Sequence, residues 1–306
     1  MLQFTEFKSL FDLTKSFSDE AICINHLEAI RWNGNVISPF DETSKVYKCA
    51  GFKYKCKKTG KYFNVRTGTI FEDTKVPLQK WFMAIYIFNS HKKGISSHQL
   101  AKDIEITQKS AWFLLHRIRY AYSHKNFKKT LQNEVQADES YIGGVDKNRH
   151  ANKKKWGQGR SDDKTPVIGM LEKDGIVKTE VVPMVTRRTI ERVIVENVAT
   201  KAILITDSFP SYYRVGKKYD HKIINHSKGV YVDNGFHTNG IENFWSQLKR
   251  GIYGIYHSVS QKHLQQYCNE FAYRYNTRKI KDNQRFNMYL TSIDKRLTYK
   301  ALINNE

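Results

Sequence analysis

Residues 202–207 read Ala-Ile-Leu-Ile-Thr-Asp. A run this apolar has no face to offer to water, so a strand built from it must be covered on both sides. That points to a sheet with helices on each face. The surrounding pattern agrees. From about Glu134 the chain reads as a strand over 135–142, then a hairpin over 167–182 with Asp174-Gly175 at its turn. A helix over 187–199 follows, then the apolar strand, a short helix or turn over 208–216, and a short strand over 221–226. The expected fold class is α/β, a mixed sheet with flanking helices and acids at strand ends.

Three acids stand at telling places in this pattern. Asp138 lies mid-strand, where an unpaired buried charge is costly unless a cation offsets it. Glu139 points to the opposite face and takes its place if the register is off by one. Asp207 closes the apolar strand, at the end where α/β sheets bind ligands; its plainer role is to cap the following turn, shared with Ser208. Glu242 opens a helix whose Ile241, Phe244, Trp245, Leu248 and Ile252 form one apolar stripe. Lys249 lies two turns further on, nearly in register with Glu242, with Ser246 between them. A solvated Glu–Lys face would look the same. Taken with Asp138 and Asp207, the carboxylate gains a purpose, because oxygen ligands from a strand, a strand end and a helix can converge on two divalent cations.

The chain carries 51 Lys and Arg against 30 Asp and Glu over 306 residues, a formal charge of +21. Self-repulsion on this scale calls for a polyanionic partner, although a lysine-rich solvated surface has the same composition. With the acids, it suggests phosphoryl transfer on DNA. Four cysteines without a pairing pattern fit a reducing compartment. No secretory leader and no membrane-length apolar run is apparent, so the expected address is the cytoplasm, wherever DNA is accessible.

The first 76 residues read as helix to about residue 30, then as a small β-hairpin module with Tyr47, Phe52, Tyr54, Tyr62, Phe63 and Val65 among lysines. Residues 77–130 read as a helix followed by a helix-turn-helix. Ser96 or Ser97 caps its first helix and Thr107 its second, with Leu100, Ile104, Ala111, Leu114, Leu115 and Ile118 facing inward. The opposite face offers Gln108, Lys109, Arg117 and Arg119, as a recognition helix would; an ordinary helical hairpin has the same pattern. Residues 131–306 form the third region. Its loop over 146–164 places Arg149, Lys153, Lys154 and Lys155 beside Trp156, a composition suited to DNA backbone contacts or simply to solvent.

The segments ADESYIGG, TDSFPSYY, HTNGIENFWSQLKRGIYGIYHSVSQKHLQQYCNEF and RYNTR resemble the D-D-E transposases of bacterial insertion sequences. The nearest group is the ISXO-like one, related to Merlin transposons. RTGTIFEDTKVPLQKW and GISSHQLAKDIEITQKSAWFLLHRIR resemble its N-terminal region, so the likeness spans nearly the whole chain. It implies an RNase H-like catalytic domain and two magnesium ions, with manganese as a substitute. Water would cut the transposon ends, and the freed 3′-hydroxyl would attack target DNA. By position the acids are Asp138, Asp207 and Glu242, with Lys249 accompanying them. Asn239 is an auxiliary candidate, and His237 and Arg250 join it as candidate DNA contacts. The resemblance also implies a homodimer on paired transposon ends, and a DNA partner makes the expected cytoplasmic address nucleoid-associated.

One departure from the group's pattern stands out. Its hairpins usually carry two Cys-x-x-Cys pairs for structural zinc. Here the matching positions read Ser38-Pro39-Phe40-Asp41 and Cys56-Lys57-Lys58-Thr59. Tetrahedral zinc needs four donors, so no structural zinc is expected, and aromatic packing must hold the hairpins. Two rival functions stay open at this point: a decayed transposase that only binds DNA as a repressor, and an RNase H-like nuclease without strand transfer.

Overall fold

Local capping sets many of the boundaries in the computed structural model, which describes residues 6–122, 129–143, 164–229 and 231–304. The chain divides into two compact units, one of residues 1–126 with 279–306 and one of residues 127–278.

In the first unit, α1 (Leu10–Ser16) and α2 (Glu20–Trp32) start at Ser9 and Asp19, whose side chains accept N–H groups of the first turn. A three-stranded antiparallel sheet follows, β1 (Val46–Cys49), β2 (Lys53–Cys56) and β3 (Tyr62–Phe63), in that order. Its packing is aromatic. The rings of Tyr54 and Phe63 stack at 5.7 Å, and Trp32 meets both edge-on at 5.2 and 6.1 Å. Cys56 is buried and its thiol is hydrogen-bonded by Ser38, Ser44 and Thr59, which draws its pKa downward.

α3 (Leu78–Ser90) is followed by α4 (Ser97–Asp103) and α5 (Gln108–Ala121). Ser96 caps α4 by accepting from the Gln99 N–H at 3.1 Å, and Thr107 caps α5 by accepting from Ser110 at 3.3 Å. Leu100, Ile104, Ala111, Leu114, Leu115 and Ile118 are buried as the periodicity requires.

The division at residue 131 needs correcting at its far end, and the boundary between 1–76 and 77–130 is not one between compact units. The last segment, with α10 (Asp282–Leu290) and α11 (Tyr299–Asn304), belongs to the first unit. Phe286 sits among Phe7, Phe17 and Phe82, Arg285 donates to the Asn89 carbonyl at 2.6 Å, and the Tyr289 hydroxyl donates to that of Ile118 at 3.1 Å. Contacts this distant in sequence leave no local periodic signal.

The second unit is a five-stranded mixed sheet. Its strands are β4 (Glu134–Gly143), β5 (Lys164–Glu172), β6 (Val177–Val181), β7 (Ile203–Asp207) and β8 (Asp220–Ile224), in the order β6-β5-β4-β7-β8. β5 is antiparallel to β4 and β6, whereas β7 runs parallel to β4 and β8. Asp174 takes a left-handed φ of 55° at the β5–β6 turn. One face is covered by α6 (Arg187–Asn197) and α7 (Tyr213–Gly216), through a core including Val135, Ala137, Ile190, Val193, Leu204 and Val215. The other is covered by α8 (Asn239–Gly251) and α9 (Gln261–Asn276), through Ile142, Val167, Ile241, Trp245, Leu248 and Leu264. The apolar strand β7 is therefore interior, as its composition demands.

Candidate active site

β4 has one residue set for each core. Val135 and Ala137 face α6, so Gln136 and Asp138 face α8. Glu139 lies on the α6 side, where its carboxylate accepts the Tyr212 hydroxyl at 3.0 Å. Gln136 pairs with Ile205 across the parallel β4–β7 ladder. That ladder ends two residues short of Asp138 and Asp207, and the two side chains are near enough for the Asp207 charge to raise the Asp138 carboxyl. Asp207 also accepts the Phe209 N–H at 3.1 Å, so it caps the following turn as well.

Burial pushes the Asp138 carboxyl up to about 6, and the charges of Asp207 and, less strongly, Glu242 add to the rise. Hydrogen bonds from the Glu139 N–H and the Trp245 indole oppose it. The Trp245 indole donates to Asp138 Oδ2 at 3.0 Å.

Glu242 rides on the exposed edge of α8, with its carboxylate turned toward its own helix start. Oε1 accepts the Thr238 hydroxyl at 2.8 Å and lies 3.5 Å from His226 Nε2. Among the described residues, no three acidic, histidine or cysteine side chains stand close enough to hold a metal ion together. Asp138 and Asp207 are brought together; Glu242 is close enough to press on Asp138 and points elsewhere. The donor chemistry fits a hard divalent cation all the same. All three groups offer carboxylate oxygens, and Asp138 is desolvated beside a second carboxylate, so a cation would relieve its penalty.

Sequence comparison with known proteins then decides the family. Residues 130–276 match the ISXO2-like transposase domain. A transposase-like protein of Haemophilus influenzae is 35% identical over 106 residues, covering 34% of this chain and 85% of that one. A protein of the transposable element ISH50 in Halobacterium salinarum is 26% identical over 276 residues, covering 85% of this chain and 92% of that one. The chain belongs to the ISXO2-like transposase family. Among solved structures, the Mos1 strand transfer complex shares 12% identity at a TM-score of 0.25, covering 71% of this chain and 78% of that one, a likeness too slight to carry an argument.

The remaining candidates of this ISXO2-like chain divide sharply. Lys109 is exposed at the start of α5. Gln108 beside it is part-buried and donates to Ser97 Oγ at 2.8 Å, tying α5 to α4. Arg117 and Arg119 were expected on an open face of α5 and are buried instead. Arg117 donates to the Leu297 carbonyl at 3.2 Å and lies 4.5 Å from the Phe113 ring centre, while Arg119 lies over Phe88 at 5.5 Å. The chain from 279 onward covers more of α5 than a helical wheel anticipates. Lys249 is part-exposed and makes no ion pair among the described residues; Arg250 is exposed and donates to the Ser246 carbonyl at 3.1 Å. His237 is part-buried with Nδ1 3.4 Å from Gln136 Nε2, and Asn239 is exposed at the start of α8. Arg149, Lys153, Lys154 and Lys155 lie outside the described residues.

Sequence reasoning missed Gln136, Thr238 and His226. Two of these carried a usable signal: Gln136 is two residues before Asp138 on the same strand face, and Thr238 is one helical turn before Glu242.

Proposed function

We propose that this chain is a DNA transposase that binds the terminal inverted repeats of its insertion sequence, cuts there, and joins the freed end to target DNA. Two carboxylates on the neighbouring strands β4 and β7 support this reading: the charges of Asp207 and of Glu242, on the α8 helix that packs on this sheet, both act on Asp138. We read the five-stranded order, with only its second strand reversed, as an RNase H-like core. Asp138, Asp207 and Glu242 would hold two magnesium ions, or manganese in their place. When bound, these would activate the attacking oxygen and stabilise the leaving one without a covalent enzyme intermediate.

The other roles follow from placement. Lys249 shares a helix face with Glu242, two turns on, and would meet a nearby phosphate. Exposed Lys109 and the lysines around the three-stranded sheet would grip DNA, in keeping with the +21 charge. In this reading the α4–α5 pair is a helix-turn-helix, and the β1–β3 module works without structural zinc. A homodimer follows from the need to handle two ends together. No helix among the described residues is long and apolar enough to cross a membrane.

The test uses labelled inverted-repeat ends, magnesium and a target plasmid. Joined product supports transposition. Cutting without joining would make the chain a nuclease, and binding without cutting would make it a repressor.

A further inference from the structure

The helix that carries Glu242 is fastened to the strand that carries Asp138 by two polar ties. Gln136 is buried, and its Oε1 accepts the backbone N–H of Ile241 at 3.0 Å. That N–H lies in the first turn of α8, where no carbonyl within the helix can satisfy it. The second tie is the Trp245 indole on Asp138 Oδ2. A buried indole N–H needs an acceptor, and here the acceptor is the candidate ligand itself.

Two glycines make room for these ties. Gly169 pairs with Asp138 across the β4–β5 ladder, and a Cβ there would lie 2.5 Å from the Trp245 ring. A Cβ on Gly240 would lie 2.8 Å from Gln136 Oε1. Helix and sheet thus approach closely where the ties form, and Asp138, Gln136, Trp245 and the start of α8 share one frame.

We propose that Trp245 and Gln136 are positioning residues, which hold the Asp138 carboxylate and the Glu242-bearing helix in the relation that sets divalent-cation affinity. This rests on reading Asp138, Asp207 and Glu242 as the cation-holding set. Hydrogen-bond partners of metal-binding carboxylates tune affinity by orienting them, and their loss commonly costs about 10–100-fold.

Manganese binding to the full chain, measured by calorimetry and by the paramagnetic signal of the free ion, tests the proposal without relying on turnover. Trp245→Phe keeps most of the ring and removes the donor; Gln136→Met keeps the length and removes the acceptor. Each is expected to weaken manganese binding by about 10-fold or more, with circular dichroism and DNA affinity unchanged. Cleavage by Trp245→Phe should recover at raised manganese, which a merely damaged fold would not do. If Trp245→Phe fails to fold, Gln136→Met carries the test. Asp138→Asn separates the two levels. Binding lost in Asp138→Asn and intact in both positioning variants overturns this proposal alone. Binding intact in Asp138→Asn overturns the cation site and the proposal together.

Discussion

Thr238 and Glu242 share one hydrogen, the hydroxyl proton that Thr238 donates to Glu242 Oε1 at 2.8 Å. Since that proton is committed, His226 Nε2, 2.9 Å from the same hydroxyl oxygen, must be the donor in their contact. Glu242 is therefore held by a short chain of contacts from His226, just past β8, through Thr238 to the start of α8, and in the proposed cation-holding arrangement it would leave Thr238 to join Asp138 and Asp207.

Thr238→Val removes this hold while keeping the shape of the side chain. A hydrogen bond to a charged, part-exposed group contributes about 1 kcal/mol, so the magnesium needed for half-maximal cleavage should fall roughly fivefold. A magnesium titration of cleavage rate checks this; an unchanged or higher requirement would show that Thr238 supports the active arrangement instead.

The raised Asp138 carboxyl makes a prediction about pH in metal-free protein. Its folded-state value, about 6, lies above that of an unfolded aspartate. The contribution to stability is therefore complete below the unfolded value and is lost as pH rises through about 6. Asp138→Asn should be more stable than wild type at pH 8 by roughly 1–3 kcal/mol, and indistinguishable from it near pH 3.5. Magnesium at pH 8 should stabilise wild type and not the variant. Thermal melts at the two pH values decide it, and an equal gap at both would rule out titration of Asp138 as the cause.

How much of this was legible depended on the range of the forces involved. The five strands of the second unit and the cap at Thr107 follow from periodicity and local chemistry, and the structure chooses Ser96 over Ser97 as the cap of α4. The rotamer of Glu242 does not, because it depends on His226, which arrives from another element. The burial of Arg117 and Arg119 was illegible for the same reason: their cover comes from residues more than a hundred positions away or from another helix. Sequence alone does not fix which of Asp138 and Glu139 faces α8; the contacts of Trp245 with Asp138 and of Tyr212 with Glu139 settle it.

Arg117 and Lys109 should now behave differently on substitution. Arg117→Ala leaves the Leu297 carbonyl without its donor, a loss of roughly 1–3 kcal/mol in stability. Lys109→Ala should leave the melt unchanged, weaken binding to all DNA sequences alike, and reduce the salt slope by about 1. Paired melting and salt-titration experiments test both, and a stable Arg117→Ala with weakened DNA binding would restore Arg117 to the DNA-facing set.

The hairpin module is expected to survive chelation. Aromatic packing of Trp32, Tyr54 and Phe63 and the hydroxyls hydrogen-bonded to Cys56 hold the module by contacts that need no metal. Treatment with a strong chelator should leave the melting temperature unchanged, and metal analysis should find no stoichiometric zinc. A chelator-induced drop matched by release of one zinc per chain would overturn this.

Cleavage of labelled transposon ends by Glu242→Ala, beside wild type and in saturating magnesium, bears most directly on the central claim. Full DNA binding with cleavage lost is the predicted result. Cutting at the wild-type rate would mean that the carboxylate on α8 takes no part in the reaction, and that Asp138, Asp207 and Glu242 are not an active site.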